Sequence, residues 1–352
     1  MRRAKLRGLG AGAWPVVTAL AAAVLVLDLL AWGYGEAPLA TLGRAFAGTW
    51  GTPYGIGQVL FKATPLVFAG ASVAFALRAG LFNIGAEGQI ALASLAAALV
   101  GASLPAHTPA AVALPCVCLV ATVVGGAYGA VPGVLRARFG AHEVIATLML
   151  NRIASAIVSW SLAHGAALHG TVRTADVVAG ARLTSLGTWL PAWRGSAVSL
   201  ALPLAVGVCF AAFAWGRSSR AGREIAWVGL GARASAAQGV PVARRLVQAM
   251  AGAGALAGLA ATSTVLGYKG YYEAGLGAGA GFAGIAVALL GRGHALGIVL
   301  AALLFGTLDQ AGLSINARVP REAMDVLQAV VILVVALADV AARDAARREA
   351  TT

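Results

Sequence analysis

Residues 81–103 read LFNIGAEGQIALASLAAALVGAS. The latter part is an apolar run without a charge, while the start holds Asn83, Glu87 and Gln89. Apolar stretches of about 20 residues match the hydrocarbon thickness of a bilayer, so this run reads as a membrane-spanning helix. Its polar start is then the puzzle, because a carboxylate at mid-bilayer costs about 3 kcal/mol or more unless it faces a bundle interior or water. Glu87 and Asn83 are four apart and share a face if the segment is helical. Gly85 and Gly88 permit a break or a close helix contact. Two readings fit: a broken helix lining a path at mid-membrane, or Glu87 capping a helix at the interface.

The rest of the chain has the same character. Of 352 residues, 60% are hydrophobic and only 11% charged, and the mean hydropathy is +0.83, whereas a soluble protein carries about 25% charged residues. About ten hydrophobic segments can be drawn, at 14–33, 56–77, 81–103, 109–132, 142–163, 197–215, 245–267, 280–291, 295–314 and 323–341. The fold expected is an all-α, polytopic integral membrane bundle, one transmembrane domain over 1–352. The eighth segment is too short to span and reads as a half-helix or re-entrant piece. The stretch from Trp14 to Trp32 is long for a signal peptide and lacks a close small-residue cleavage site, so it reads as an uncleaved first helix.

The net charge of +13 does not indicate nucleic acid, because the basic residues sit at segment ends rather than in one stripe. With the N-terminus inside, seventeen basic residues fall on the inner side, eight on the outer side, and Arg152 within a helix. That bias predicts both termini in the cytoplasm. Cys116, Cys118 and Cys209 lie in apolar segments without paired CxxC spacing, which indicates neither a disulfide framework nor a metal site. No cofactor is expected, and no phosphate loop for a nucleotide is present.

Other polar features stand out. In AHEVIATLMLNRIAS, residues 141–155, Glu143, Thr147 and Asn151 are spaced at i, i+4 and i+8 on one face, either a path lining or an interhelical seam. In GLGAGAGFAGIAVALLGRGHALGIVLAALLFG, residues 275–306, the GAGAG run is able to unwind where it is shielded from lipid. The loop from His164 to Ser196 has room for a short surface helix. The loop 217–245 has six arginines yet also Ile225, Trp227, Val228, Leu230 and Val240, as expected of a short amphipathic helix presented to a partner.

Taken together, LFNIGAEGQI, EVIATLMLN, GREIAWVGLGARASAAQGV and GIAVALLGRGHALGIVLAALLFG resemble the permease subunits of bacterial ABC importers. The resemblance is to the simple-sugar and nucleoside branch of the ribose and branched-chain amino-acid permease family, with purine-nucleoside importers nearest. It implies a permease that is not itself an enzyme, with Asn83, Glu87, Gln89, Glu143, Thr147 and Asn151 along the translocation path. It also implies that Gly222, Glu224, Gly229 and Gly239 belong to a segment that docks on an ATPase, with a helix over roughly 229–239. The implied partners are an ABC ATPase, a second permease in a heterodimer, an extracytoplasmic solute-binding protein, membrane lipid and a small polar solute. The implied location is the bacterial inner membrane. One departure is Ala283, where the family often carries an acid. Two rivals remain: an ion-coupled secondary transporter, which needs no ATPase, and an intramembrane enzyme, for which no GxSxG elbow or paired nucleophile and base is visible.

Overall fold

A computed structural model describes residues 28–320 without interruption, together with 21, 24–26, 325–330, 333, 334 and 337. Its contacts divide into two compact units, residues 60–304 and residues 1–59 with 305–352. The helices, in order, are α1 (Pro38–Thr49), α2 (Pro53–Leu77), α3 (Ala86–Ser103), α4 (Ala110–Phe139), α5 (Glu143–Ser161), α6 (Ala201–Ser218), α7 (Arg220–Leu230), α8 (Ala232–Ala237), α9 (Val242–Gly258), α10 (Ala280–Leu290) and α11 (Ala295–Ile315). Wide π-type turns extend α5 through Leu162–Ala166 and α9 through Thr262–Lys269. Among the described residues the only β pairings are the isolated bridges Arg173 to Glu273 and Ser185 to Ser199.

Seven of these helices are long and apolar enough to cross a membrane: α2, α3, α4, α5, α6, α9 and α11. The chain is a polytopic helical membrane protein. The expected count of about ten segments is not reached among the described residues. Segment 280–291 is an 11-residue helix, too short to cross, and segments 14–33 and 323–341 lie partly outside the described residues, as do the basic residues at both termini.

Local chemistry explains several boundaries. α2 stops where Gly80 takes a left-handed φ of 70°, and residues 81–83 are non-helical. The helix expected from residue 81 therefore begins at Ala86. α4 ends at Gly140, whose left-handed φ of 67° suits glycine, with Arg136 and Arg138 beside the negative end of the helix. The loop 164–196 carries three short 3₁₀ turns in place of the expected surface helix. α1 was not legible among the hydrophobic segments because it is too short to register as one.

In the 60–304 unit, α4 and α9 cross at backbone distance. A Cβ on Gly129 would stand 2.6 Å from the Met250 carbonyl oxygen, and one on Gly133 would stand 2.9 Å from the Val247 Cα. Small residues give membrane helices this close van der Waals contact where no hydrophobic gradient between helices exists. The crossing also gathers loops into two groups. Gly229 of α7 lies against the backbone of Arg78–Gly80, and Glu224 pairs with Arg245, so the 78–85 turn and the 217–245 loop share one end. At the other end, Thr174 donates to Tyr272 O (2.8 Å), Val177 to Gly270 O (2.7 Å) and Val178 to Gly101 O (3.0 Å). In the other unit, Glu36 receives Arg44 at 2.9 Å and Arg318 at 2.7 Å, which hold its carboxyl below the usual carboxylate range, and Asp309 accepts from Gln328 Nε2 at 2.6 Å.

Candidate functional site

The break before α3 is tied by amides. Asn83 is fully buried; its Nδ2 donates to Gln89 Oε1 (2.9 Å) and Ser72 Oγ (3.1 Å), and Gln89 Nε2 donates back to Asn83 Oδ1 (3.1 Å). From α5, Asn151 Oδ1 accepts from Gly88 N (2.9 Å) and its Nδ2 donates to Ile84 O (2.9 Å). These three side chains satisfy backbone and each other, which a buried polar group requires. They form the frame of the site. Asn83 lies outside the helix, so it does not share a helical face with Glu87, as the four-residue spacing would have it.

Glu87 points elsewhere. Its Oε1 accepts from Gly279 N at 2.7 Å and its Oε2 from Gly281 N at 2.9 Å. It thereby satisfies two of the orphan N–H groups at the start of α10 and places a carboxylate at that helix's positive end. Three glycines prepare this contact: Gly275, Gly277 and Gly279 have φ of 83°, 80° and 87°, the left-handed region that glycine alone enters cheaply. A Cβ on Gly281 would strike the Glu87 backbone, so the two helix starts are nearly in contact. α10 rises about 16 Å over its 11 residues at 1.5 Å each, roughly half of a 30 Å hydrocarbon layer.

Beside Glu87 lies a cavity of ≈ 140 Å³ lined by Ser155, Ser159 and Tyr272, by the apolar Ile90, Ala91 and Val158, and by residues 274–278. Burial first, then the Glu87 charge, pushes the Tyr272 hydroxyl up to about 12, so it stays a neutral hydrogen-bonding group. Ser155 and Ser159 escaped the sequence reading although they continue the spacing of Glu143, Thr147 and Asn151 by two further turns. Following that stripe to its end would have found them. The lower part of the stripe is occupied differently. Thr147 Oγ1 donates to Glu143 O of its own helix (2.7 Å), and Glu143 Oε2 lies 3.6 Å from Arg136 Nε.

The 217–245 loop forms a second, separate centre. Ser219 Oγ caps α7 by accepting from Gly222 N (2.9 Å). α7 buries Gly222, Glu224, Ile225 and Val228 and leaves Trp227 and Leu230 exposed, Leu230 by 89%. Glu224 takes Arg220 Nε at 2.7 Å and Arg245 Nη2 at 2.6 Å, and these arginines hold its carboxyl below the usual range. Arg245 is the firmer partner, because Arg220 is largely in solvent, where such pairs are screened. The helix expected over 229–239 is instead split. Gly231 is extended, with φ of 179°, and separates α7 from α8, while Gly239, with φ of 80°, closes the turn after α8. One short piece of chain touches both centres. Arg78 Nη2 donates to Gly216 O at 2.6 Å, Gly229 abuts Arg78–Gly80, and Leu81 packs with Ile225 and Met250, two residues before the amide frame starts at Asn83.

Residues 55–336 match the family described as the branched-chain amino acid transport system / permease component. The guanosine ABC transporter permease protein of Bacillus subtilis is 36% identical over 326 residues, 91% of each chain. The glucose ABC transporter permease protein of Haloferax volcanii is 33% identical, covering 91% of this chain and 85% of its own. The nucleoside ABC transporter permease protein of Lactococcus lactis is 31% identical, covering 87% and 83%. No solved structure matches the chain.

Proposed function

Because the chain belongs to the branched-chain amino acid transport system permease family, a family of transport components, we propose that it forms one half of the channel of an ATP-driven ABC importer for a nucleoside or simple sugar. The observation that carries this reading is the meeting of α3 and the half-helix α10 at Glu87, beside a cavity edged by Ser155, Ser159 and Tyr272. Discontinuous helices meeting at mid-membrane are a recurring way to build a solute site. The cavity offers the hydroxyls of Ser155, Ser159 and Tyr272 among apolar groups of Ile90, Ala91, Val158 and Leu276, and the one carboxylate in it is already engaged with α10. That chemistry suits a neutral, hydroxyl-bearing solute such as the guanosine, nucleoside and glucose in the relatives' names.

In this reading a second, different permease supplies the other half of the path, an extracytoplasmic receptor delivers the solute, and an ABC ATPase docks beneath. The exposed Trp227 and Leu230 give that ATPase an apolar footing. The chain lies in the inner membrane with both termini cytoplasmic, its basic 217–245 loop on the ATPase side. ATP-driven closure moves α7; Gly229 presses on Arg78–Gly80, and the frame of Asn83, Gln89 and Asn151 passes the displacement to Glu87 and α10. Such a device needs two discrete arrangements rather than continuous flexing. An ion-coupled carrier fits less well, because the Glu87 oxygens are both committed to backbone N–H groups.

The test is uptake of labelled guanosine, ribose and glucose by energised cells that carry the chain with its partner subunits. ATP-dependent uptake of one of them, competed by its analogues, supports the reading. Uptake that follows an ion gradient and ignores ATP depletion overturns it.

A further inference from the structure

The α4 and α9 ends that meet at Gly133 and Val247 border a groove of ≈ 290 Å³ lined by Val134, Ala137, Ala243, Val247, Gln248 and the two arginines Arg138 and Arg244. Both arginines are exposed, and neither side chain has a hydrogen-bond or ion-pair partner among the described residues. Other arginines at this end are engaged: Arg136 faces Glu143, Arg245 faces Glu224 and Arg78 binds Gly216 O, and Arg233, which has no such partner among the described residues, does not line this groove. An apolar trough with two unused guanidinium groups lies at the mouth of two membrane-spanning helices.

We propose that this groove binds one anionic phospholipid, its phosphate between Arg138 and Arg244 and the start of an acyl chain along Val134 and Val247. Arginine matches phosphate with paired, charge-assisted hydrogen bonds, and basic pockets between membrane helices suit acidic headgroups. An acidic protein partner would use the charge but has no use for an apolar trough between the ends of two membrane-spanning helices. The chain's net charge of +13 favours an anionic occupant. Because Arg244 adjoins Arg245, the bound headgroup stands next to the ion pair that anchors α7. The inference rests on the helices spanning a bilayer and not on which solute crosses it.

Native mass spectrometry of the purified full chain tests this, with phosphatidylglycerol, phosphatidylethanolamine and millimolar inorganic phosphate as probes. One retained phosphatidylglycerol is expected, preferred over phosphatidylethanolamine about 30-fold, or roughly fivefold for each arginine. The doubly substituted Arg138→Gln/Arg244→Gln chain should lose that preference, an Arg233→Gln control should keep it, and inorganic phosphate should not displace the lipid. Equal retention of the two lipids by the unaltered chain overturns the proposal. So does a preference that survives the double substitution, or displacement by inorganic phosphate, which would leave an anion site without a lipid role. Should the double variant fail to fold, the lipid and phosphate comparisons on the unaltered chain decide alone.

Discussion

Glu87 is a carboxylate that does the work of a capping turn for a helix nearly two hundred positions away. Glu87→Gln keeps the volume but turns one acceptor into a donor facing a backbone N–H. Losing one charge-assisted bond at a buried site costs about 2 kcal/mol. Uptake should fall at least tenfold while the chain remains in the membrane, read by transport against membrane abundance; a wild-type rate would return Glu87 to a merely structural cap. Glu224 gives the pH-dependent counterpart. Its folded pKa lies below the unfolded value of about 4.3, so its contribution is complete above that value and is lost as pH falls through the folded pKa. Protection from hydrogen exchange across 217–245, taken relative to the intrinsic rate at each pH, should hold from neutral pH down to about 5 and fall as the pH drops below the unfolded value of about 4.3. At this scale the sequence was half informative. Glu87 and Glu224 stand out as acids in an apolar or basic setting, but nothing local tells that Asn83 and Gln89 spend their amides on each other, or that Asn151 spends its own on the backbone of Ile84 and Gly88, which depends on α5 returning to α3 sixty residues later. Ala283, where the resemblance leads one to expect an acid, sits in the first turn of α10, and nothing in the structure explains the exchange.

Among the elements, the glycines decide what touches what. Gly229→Trp would drive a ring into the Arg78 carbonyl and lift α7 from the turn beneath it. Uptake should be abolished with the chain still inserted, and an unaffected rate would sink the assignment of α7 to coupling. Gly129→Leu forces α4 and α9 apart at a backbone contact, and overpacking of this kind costs about 1–3 kcal/mol; the melting temperature of the purified chain should drop by several degrees, and an unchanged value would deny the close crossing. The half-helix α10 was legible beforehand, since eleven apolar residues cannot span and GAGAG announces an unwound lead-in. The continuous helix over 229–239 was misread, because Gly231 breaks the chain in an extended conformation open to any residue and therefore leaves no distinctive mark in the sequence.

For the whole molecule, hydropathy alone conveyed a polytopic helical bundle, since a bilayer leaves few alternatives. It conveyed the number of crossings less well: against about ten expected segments, seven helices among the described residues are long enough to span, since 280–291 is the helix too short to cross and 14–33 and 323–341 lie partly outside the described residues. The proposed sidedness rests on the positions of the arginines and is checked by reporter fusions: one after Arg194 should appear outside and one after Arg233 inside, and the reverse would overturn the orientation. The central claim, that this chain is a channel half worked by a separate ATPase, is tested most directly by isolating the tagged chain in mild detergent from cells that express its partners. Mass spectrometry should find an ABC ATPase with the unaltered chain and lose it with Gly229→Trp. Recovery of the chain alone, from membranes that are actively transporting, would contradict the account.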